Sequence, residues 1–292
     1  MAKTVLVVGA SSFIGSNLVA RLKKKYHVFA AFNKHILRFP GISMCLYNFN
    51  DKDYMKRMLH MVRPDVIVYC TGITDFKECA TKQRLTEAIN SFGPIVLAQA
   101  SDSNAARFIY LSTAYVYDGD KGNFDENDVS LPETEYGKSK LAGENYVRSK
   151  FMNYTIFRFA PIFGLGSIYR PSQFDKLRQS LAKKEHVEMP SNELHNFLYI
   201  DIALTAIEWA INNETKNKTY NLGGLTKLSW YDFGVHVAKS FGFDPGLIVP
   251  TRSEFGLDKD FSVNGSDIVR QLEVDPLILE QSLDLLKQQL IC

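Results

Sequence analysis

Cysteine is scarce in this chain: four in 292 residues, Cys45, Cys70, Cys79 and Cys292, none at metal-ligand spacing. That pattern excludes a disulfide scaffold and a zinc-knuckle pair, and it leaves free, buried thiols and no metal as the expectation. No run reaches the roughly 18 to 20 consecutive apolar residues of a membrane span. The start, from Met1 directly into a strand-like stretch at Thr4–Val8, lacks the basic segment and longer apolar run of a secretory signal. Neither charge sign predominates, with 34 Lys and Arg against 32 Asp and Glu. The basic residues cluster only at Lys23-Lys24-Lys25 and Lys183-Lys184, which gives no coherent stripe for nucleic acid. No fixed-period repeat or low-complexity tail is visible. A cytoplasmic globular chain, with neither nucleic acid nor membrane as partner, is the expectation from these absences.

What the chain has is alternation. Apolar residues make up 46% of it, enough for a large core. Continuous apolar runs at Thr4–Val8, His27–Phe32, Ile42–Tyr47, Asp65–Cys70, Arg107–Ser112 and Thr155–Phe159 read as strands buried on both faces. Between them lie helical patterns at Ile14–Lys24, Asp51–Val62 (Asp51 as cap), Ala80–Ala100 and Glu135–Lys150. Strands separated by helices of this length predict an α/β, Rossmann-type doubly wound parallel sheet, because parallel neighbours need crossovers. Past Pro161 the rhythm loosens. Asp201–Trp209, Trp230–Ser240 and Ile278–Leu290 read as helices. Residues 1–160 are therefore assigned mainly to a dinucleotide-binding domain. Residues 161–292 are assigned mainly to a smaller substrate-binding lobe, with segments returning to the main sheet.

Gly9-Ala10-Ser11-Ser12-Phe13-Ile14-Gly15 follows the first strand and opens the first helix. A tight glycine turn lets backbone N–H groups approach a pyrophosphate, and the helix start attracts its charge. Gly9, Ser12, Phe13, Ile14 and Gly15 are the expected contacts, although Ser12 stands where such loops usually have glycine. The second strand ends in Asn33-Lys34, with His35 and Arg38 nearby, rather than in the acidic residue that binds both ribose hydroxyls. Lys34 is suited to a 2′-phosphate, which favours NADP over NAD. Asn48 and Phe49, and Cys70, Thr71 and Gly72 after the fourth strand, complete the expected coenzyme set.

Tyr136 and Lys140 are four apart on a helical pattern and so share one face. A nearby ammonium is expected to favour the phenolate and ease proton exchange by Tyr136. Thr113, at the end of Tyr110-Leu111-Ser112-Thr113, is placed to hydrogen-bond the reacting oxygen. In a carbonyl reduction the nicotinamide delivers hydride to carbon while Tyr136 protonates oxygen. Tyr136 and Lys140 are also counted among the coenzyme contacts, Lys140 at the nicotinamide ribose.

With these residues in place, the sequence resembles the extended short-chain dehydrogenase/reductases, the NAD-dependent epimerase/dehydratase group, and within it the dTDP-4-dehydrorhamnose reductases. Pro64 to Gly72 looks like the family's fourth strand and the loop over the cofactor. Asn90 falls where the family keeps a structural asparagine. Ser112-Thr113-Ala114-Tyr115-Val116-Tyr117-Asp118-Gly119 resembles its Ser-Thr-Asp-Tyr-Val-Phe-x-Gly stretch, and Tyr136 to Glu144 its catalytic helix. Arg158, Gly164, Phe197–Ala203 and Tyr220–Gly224 match later landmarks. The resemblance implies reduction of the 4-keto group of a nucleotide-linked 6-deoxy sugar, in a chain compatible with a homodimer.

Departures shape the alternatives. Ala114-Tyr115 replaces the Asp-Glu pair of the related dehydratases, and no cysteine lies between Cys79 and Cys292 as fucose-synthase epimerisation requires. The simple reductases usually have aspartate at Ala114 and often at Lys77, and tryptophan or asparagine at Pro161. An epimerase retaining NAD, and a noncatalytic nucleotide-binding regulatory subunit, stay open beside the reductase. For the substrate, the resemblance points to Phe163, the loop from Leu165 to Gln173 including Arg170, Lys176, and the His195-Asn196 pair.

Overall fold

The computed structural model describes residues 2–291 apart from 34, 101–105, 168, 169, 214, 273, 275 and 276. Lys34 and Cys292, both singled out above, lie outside the described residues.

Among the described residues, seven strands build the main sheet: β1 (Thr4–Val8), β2 (His27–Phe32), β3 (Ser43–Leu46), β4 (Val66–Tyr69), β5 (Arg107–Thr113), β6 (Tyr154–Phe159) and, much later, β11 (Lys218–Leu222). Their spatial order is β11-β6-β5-β4-β1-β2-β3, with every neighbouring pair parallel. The order reverses between β1 and β4, and a crevice beyond the carboxyl ends of the strands at such a point is where α/β sheets take ligands.

Alternation along β1 explains why both faces are covered. Val5 and Val7 pack with α1 (Phe13–Leu22) and α8 (Ile200–Asn212), whereas Leu6 and Val8 pack with α2 (Lys52–Val62), α5 (Gly93–Ala100) and α6 (Glu135–Lys150). The caps are as the sequence suggests. The Asp51 carboxylate accepts from Tyr54 N at 2.9 Å, and Arg63 closes α2 in the left-handed region just before Pro64.

The single helix expected over Ala80–Ala100 is instead broken. It runs as α3 (Phe76–Thr81), α4 (Gln83–Thr86), a π-helical turn at Glu87–Phe92, and then α5. Pro94 has no N–H to give the carbonyl of Asn90, so the α-helical bond due there is never made. The Tyr110 hydroxyl takes that carbonyl instead, at 2.7 Å.

The region after Pro161 is richer in structure than its sequence rhythm suggests. It holds α7 (Gln173–Ala182), opened by a Ser172/Asp175 capping box, and α9 (Trp230–Ser240), α10 (Ser266–Leu272) and α11 (Leu279–Ile291). Short strands form three small sheets: β7 (Ile162–Phe163) with β10 (Leu198–Tyr199), β8 (Val187–Pro190) with β13 (Ile248–Thr251), and β9 (Glu193–His195) between β12 (Leu228–Ser229) and β14 (Lys259–Asp260). These make a smaller C-terminal lobe beside the carboxyl end of the sheet. No helix among the described residues is long and apolar enough to cross a membrane.

Candidate active site

The turn after β1 is built for close approach. Gly9 has φ +82°, and a Cβ there would lie 2.6 Å from Thr71 N, in the loop after β4. A Cβ on Gly15 would lie 2.2 Å from the Gly9 carbonyl oxygen, so glycine is required at both ends. Gly9 N and Ala10 N donate to the Ala31 carbonyl at 3.1 Å, which ties the turn to the end of β2. Ser12 does not crowd the loop with its side chain. It caps α1, its hydroxyl accepting from Gly15 N at 3.0 Å. Phe13 and Ile14 form the first turn of α1, which carries no acidic residue. The helix start therefore keeps its positive end available to an anion.

Other expected coenzyme residues follow the ends of strands in the same sheet, β2, β3 and β4. Asn33 follows β2 and donates its amide to the Tyr47 carbonyl at 2.8 Å. Asn48 and Phe49 follow β3, with Phe49 against Tyr47 and Asn48 accepting from Asn50 N. Cys70, Thr71 and Gly72 continue from β4. Asn90 anchors their loop, accepting from Ile73 N and donating to the Ile73 carbonyl, both at 2.9 Å, and donating to Ser139 of α6 at 2.9 Å. The structural role expected for Asn90 is thus a clamp between the loop over the crevice and the helix that carries Tyr136.

Of the three cysteines among the described residues, only Cys79 is fully buried; Cys45 and Cys70 are partly exposed, which corrects the expectation of buried thiols at those two positions. All three are free. Desolvation raises the Cys70 thiol to about 12, so it stays protonated.

Thr113 ends β5 and Tyr136 opens α6, whose first turn is capped by Thr134 through Gly137 N at 3.0 Å. Lys140 lies one turn further on, 4% exposed, with Nζ 4.1 Å from the centre of the Tyr110 ring. Burial lowers Lys140 to about 7, against a raising influence from Glu144. Burial also raises Tyr136 to about 12, with hydrogen bonding to Thr113 pulling it back in part. A nearby ammonium was expected to ease proton exchange by Tyr136; in the fold, burial is the largest influence on the phenol and keeps it protonated at neutral pH. A protonated tyrosine is the form a proton donor needs.

The helix is held in place by a buried carboxylate. Glu144 accepts from Ser112 Oγ at 2.6 Å, Arg158 at 2.7 Å and Arg148 at 2.8 Å. Arg158 is thereby explained as the partner of the helix that carries Tyr136 and Lys140.

Several residues at the reacting end escape the sequence reading. Phe76 stands with its ring 5.8 Å from Tyr136 and 4.8 Å from Tyr115. Phe255 from the lobe lies 6.5 Å from Phe76. Glu193 meets the Tyr115 hydroxyl from one face of β9, which it shares with His195, a residue that the resemblance had already placed near the substrate. Their i, i+2 spacing in a short strand was the available signal. Phe163 is a core residue packed on Phe174, Tyr199 and Phe233. Asn196 clamps Gly224 and Val263 backbone groups, and Arg170 and Lys176 are exposed. The Leu165–Gln173 loop falls partly outside the described residues.

The arrangement fits a dinucleotide on its own evidence. It offers two crowded glycines around a bare helix start, and a buried ammonium that makes no hydrogen bond or ion pair among the described residues. No group of three or more candidate metal ligands occurs among the described residues.

The chain matches the RmlD substrate binding domain over residues 3–256. The spore coat polysaccharide biosynthesis protein SpsK of Bacillus subtilis is 26% identical over 255 residues, covering 86% of this chain and 84% of that protein. The dTDP-4-keto-6-deoxy-D-glucose reductase of Streptomyces niveus is 25% identical over 279 residues, covering 93% and 92% respectively. In structure, a dTDP-4-dehydrorhamnose reductase of Bacillus anthracis in complex with NADP aligns with TM-score 0.84 at 21% identity, over 99% of this chain and all of that one. At that identity the likeness establishes the fold.

Proposed function

The chain belongs to the RmlD substrate binding domain family, and from that premise we propose that it reduces the 4-keto group of a nucleotide-linked 6-deoxy sugar, with NADPH preferred over NADH. It is an NAD(P)-dependent enzyme of the nucleotide-sugar class. The observation that carries the finer reading is the convergence of Thr113, Tyr136 and Lys140 at the carboxyl end of β5, in the sheet that carries the glycine turn after β1, with β4 between the two strands. A relative of closely similar length is named for reduction of a dTDP-linked 4-keto-6-deoxy sugar.

Gly9, Ser12, Phe13, Ile14 and Gly15 would hold the pyrophosphate, Asn33 and Lys34 the adenosine ribose and its phosphate, and Asn48, Phe49, Cys70, Thr71 and Gly72 the walls of the crevice. When bound, the coenzyme supplies hydride to the carbonyl carbon. Tyr136 gives its proton to the carbonyl oxygen, and Thr113 orients that oxygen by hydrogen bonding. Lys140 holds the ribose hydroxyls, which ties coenzyme placement to the tyrosine one turn away. Ala114, in place of a carboxylate, leaves the strand end without a second proton-transfer group for elimination.

Purified protein incubated with NADPH and a dTDP-4-keto-6-deoxyhexose is expected to consume coenzyme and yield the 4-hydroxy sugar. No turnover across several nucleotide-linked ketosugars, with coenzyme demonstrably bound, would remove the assignment. The small, uncharged strand end Ser112-Thr113-Ala114 also suits an epimerase, which would retain NAD and interconvert two sugar isomers without net coenzyme consumption.

A further inference from the structure

Tyr115 stands two residues past Thr113, and its ring lies 6.2 Å from that of Tyr136 and 4.8 Å from Phe76. Its hydroxyl donates to Glu193 Oε1 and lies 3.1 Å from His195 Nε2. His195 Nε2 is in turn 2.7 Å from Glu193 Oε1. Since an ionised carboxylate only accepts, His195 carries its proton on Nε2 and donates to Glu193. Trp230 also reaches the carboxylate with its side chain. Glu193 is 3% exposed, and no lysine or arginine among the described residues pairs with it. Desolvation opposes its charge, but the hydrogen bonds of His195, Tyr115 and Trp230 hold it below the usual carboxylate range.

A buried carboxylate without a cationic lysine or arginine is costly unless its lone pairs are fully used. Here they are spent on one job. The network joins β9, in the lobe, to the turn just after the catalytic strand end, and Phe261 packs on both Tyr115 and His195 at 4.8 and 5.6 Å. With its hydroxyl committed to Glu193, Tyr115 presents a ring to the site rather than a second acid.

We propose that Glu193 is a positioning residue: by holding the Tyr115 hydroxyl it fixes the aromatic wall of Tyr115 and Phe76 beside Tyr136, against which the sugar ring is oriented for proton transfer. This rests on the reductase reading of the same site.

The test is a double-mutant cycle of Glu193→Ala and Tyr115→Phe, with Glu193→Gln as the conservative variant. It reads kcat, KM and coenzyme affinity. Glu193→Ala is expected to lower kcat about tenfold or more with coenzyme affinity unchanged. The same loss should follow from Tyr115→Phe and should not deepen in the double variant. Glu193→Gln, which keeps an acceptor for Tyr115, is expected to restore most of it. An equal further loss when Glu193→Ala is added to Tyr115→Phe overturns the proposal, as does a fall in Tm with kcat and KM intact. If Glu193→Ala does not fold, Tyr115→Phe decides alone: a loss of kcat of about tenfold with coenzyme affinity unchanged supports the proposal, and an unchanged kcat overturns it. A second readout needs no turnover: the ¹⁹F resonance of 3-fluorotyrosine at position 115. Its displacement in a folded Glu193 variant supports the proposal, and an unmoved resonance overturns it, even if the wild type reduces no ketosugar and the reductase reading falls separately.

Discussion

Lys140 and Tyr110 meet face-on inside the protein, the ammonium 4.1 Å from the centre of the ring. The contact is an attraction between a cation and a π face, but it does not replace a hydration shell. Lys140 is consequently brought down to about 7 by burial, and the chain holds a lysine whose charge is opposed by its surroundings.

Replacing that lysine by methionine should stabilise the coenzyme-free protein while abolishing turnover. The folded value, about 7, lies below the ordinary 10.5. Between the two the unfolded chain binds more protons, so stability should rise with pH across this window, and the full penalty is present below it. Lys140→Met removes the titrating group. Its Tm should exceed that of wild type at pH 6 and converge on it toward pH 10, while turnover falls by about 10²-fold or more. A Tm difference that does not change with pH would contradict the assigned burial penalty.

Glu144 gives the opposite sign. Its carboxylate is fully buried, and although burial alone raises it, Arg158, Arg148 and Ser112 together hold it below its ordinary value of 4.5. A depressed carboxylate contributes stability that is present above the unfolded value and is lost as pH falls through the folded one. Glu144→Gln would leave Arg158 buried without its counter-charge, at a cost of about 3 to 5 kcal/mol. Urea unfolding at pH 7 should show that loss, and the gap between variant and wild type should narrow as pH falls below the ordinary carboxylate value of 4.5 and through the lowered folded one. An unchanged gap would mean that Glu144 stabilises by packing rather than by charge.

The fold was legible because its signals are local and repeated. Strand β1, strand β2, helix α6 and helix α9 have the bounds the sequence suggests, each set by an apolar run or a capping residue. The failures come from long-range partners. Nothing in the local periodicity around Glu87–Phe92 announces a π turn; that depends on Pro94 withholding an N–H and Tyr110, from another strand, taking the orphaned carbonyl. The small sheets of the lobe use strands of two to four residues, too short for an alternation pattern. At the site, Thr113, Tyr136 and Lys140 could be read from spacing on one strand and one helix. Glu193 and Phe76 could not, because they reach Tyr115 from separate elements. The state of Tyr136 was also out of reach, since it depends on how much water the folded site excludes.

Coenzyme choice turns on the end of β2. Asn33 spends its amide on the Tyr47 carbonyl, so no carboxylate stands there to repel a 2′-phosphate, and Lys34 follows directly. After removal of any retained coenzyme, NADPH is expected to bind about tenfold more tightly than NADH, about 1.4 kcal/mol. Lys34→Ala should erase most of that difference by weakening NADPH alone. Titration of both coenzymes against both proteins checks it; a preference for NADH, or discrimination untouched by the substitution, would count against Lys34.

Tyr136→Phe is the substitution on which the mechanism stands. It keeps the ring that packs on Phe76 and Tyr115 and removes only the hydroxyl. In wild type that hydroxyl is raised to about 12, so it is protonated throughout the neutral range and available as an acid. Losing it should lower kcat for the ketosugar by about 10²- to 10⁴-fold, roughly 3 to 5 kcal/mol of transition-state stabilisation. Folding should be nearly unaffected, since no backbone group depends on that oxygen among the described residues, and NADPH affinity should change little if, as proposed, Lys140 makes the main ribose contact. Single-turnover kinetics beside coenzyme titration separate these effects. Turnover near the wild-type rate in the phenylalanine variant would mean that another group protonates the carbonyl, and the roles given to Thr113 and Lys140 would then lose the residue they serve.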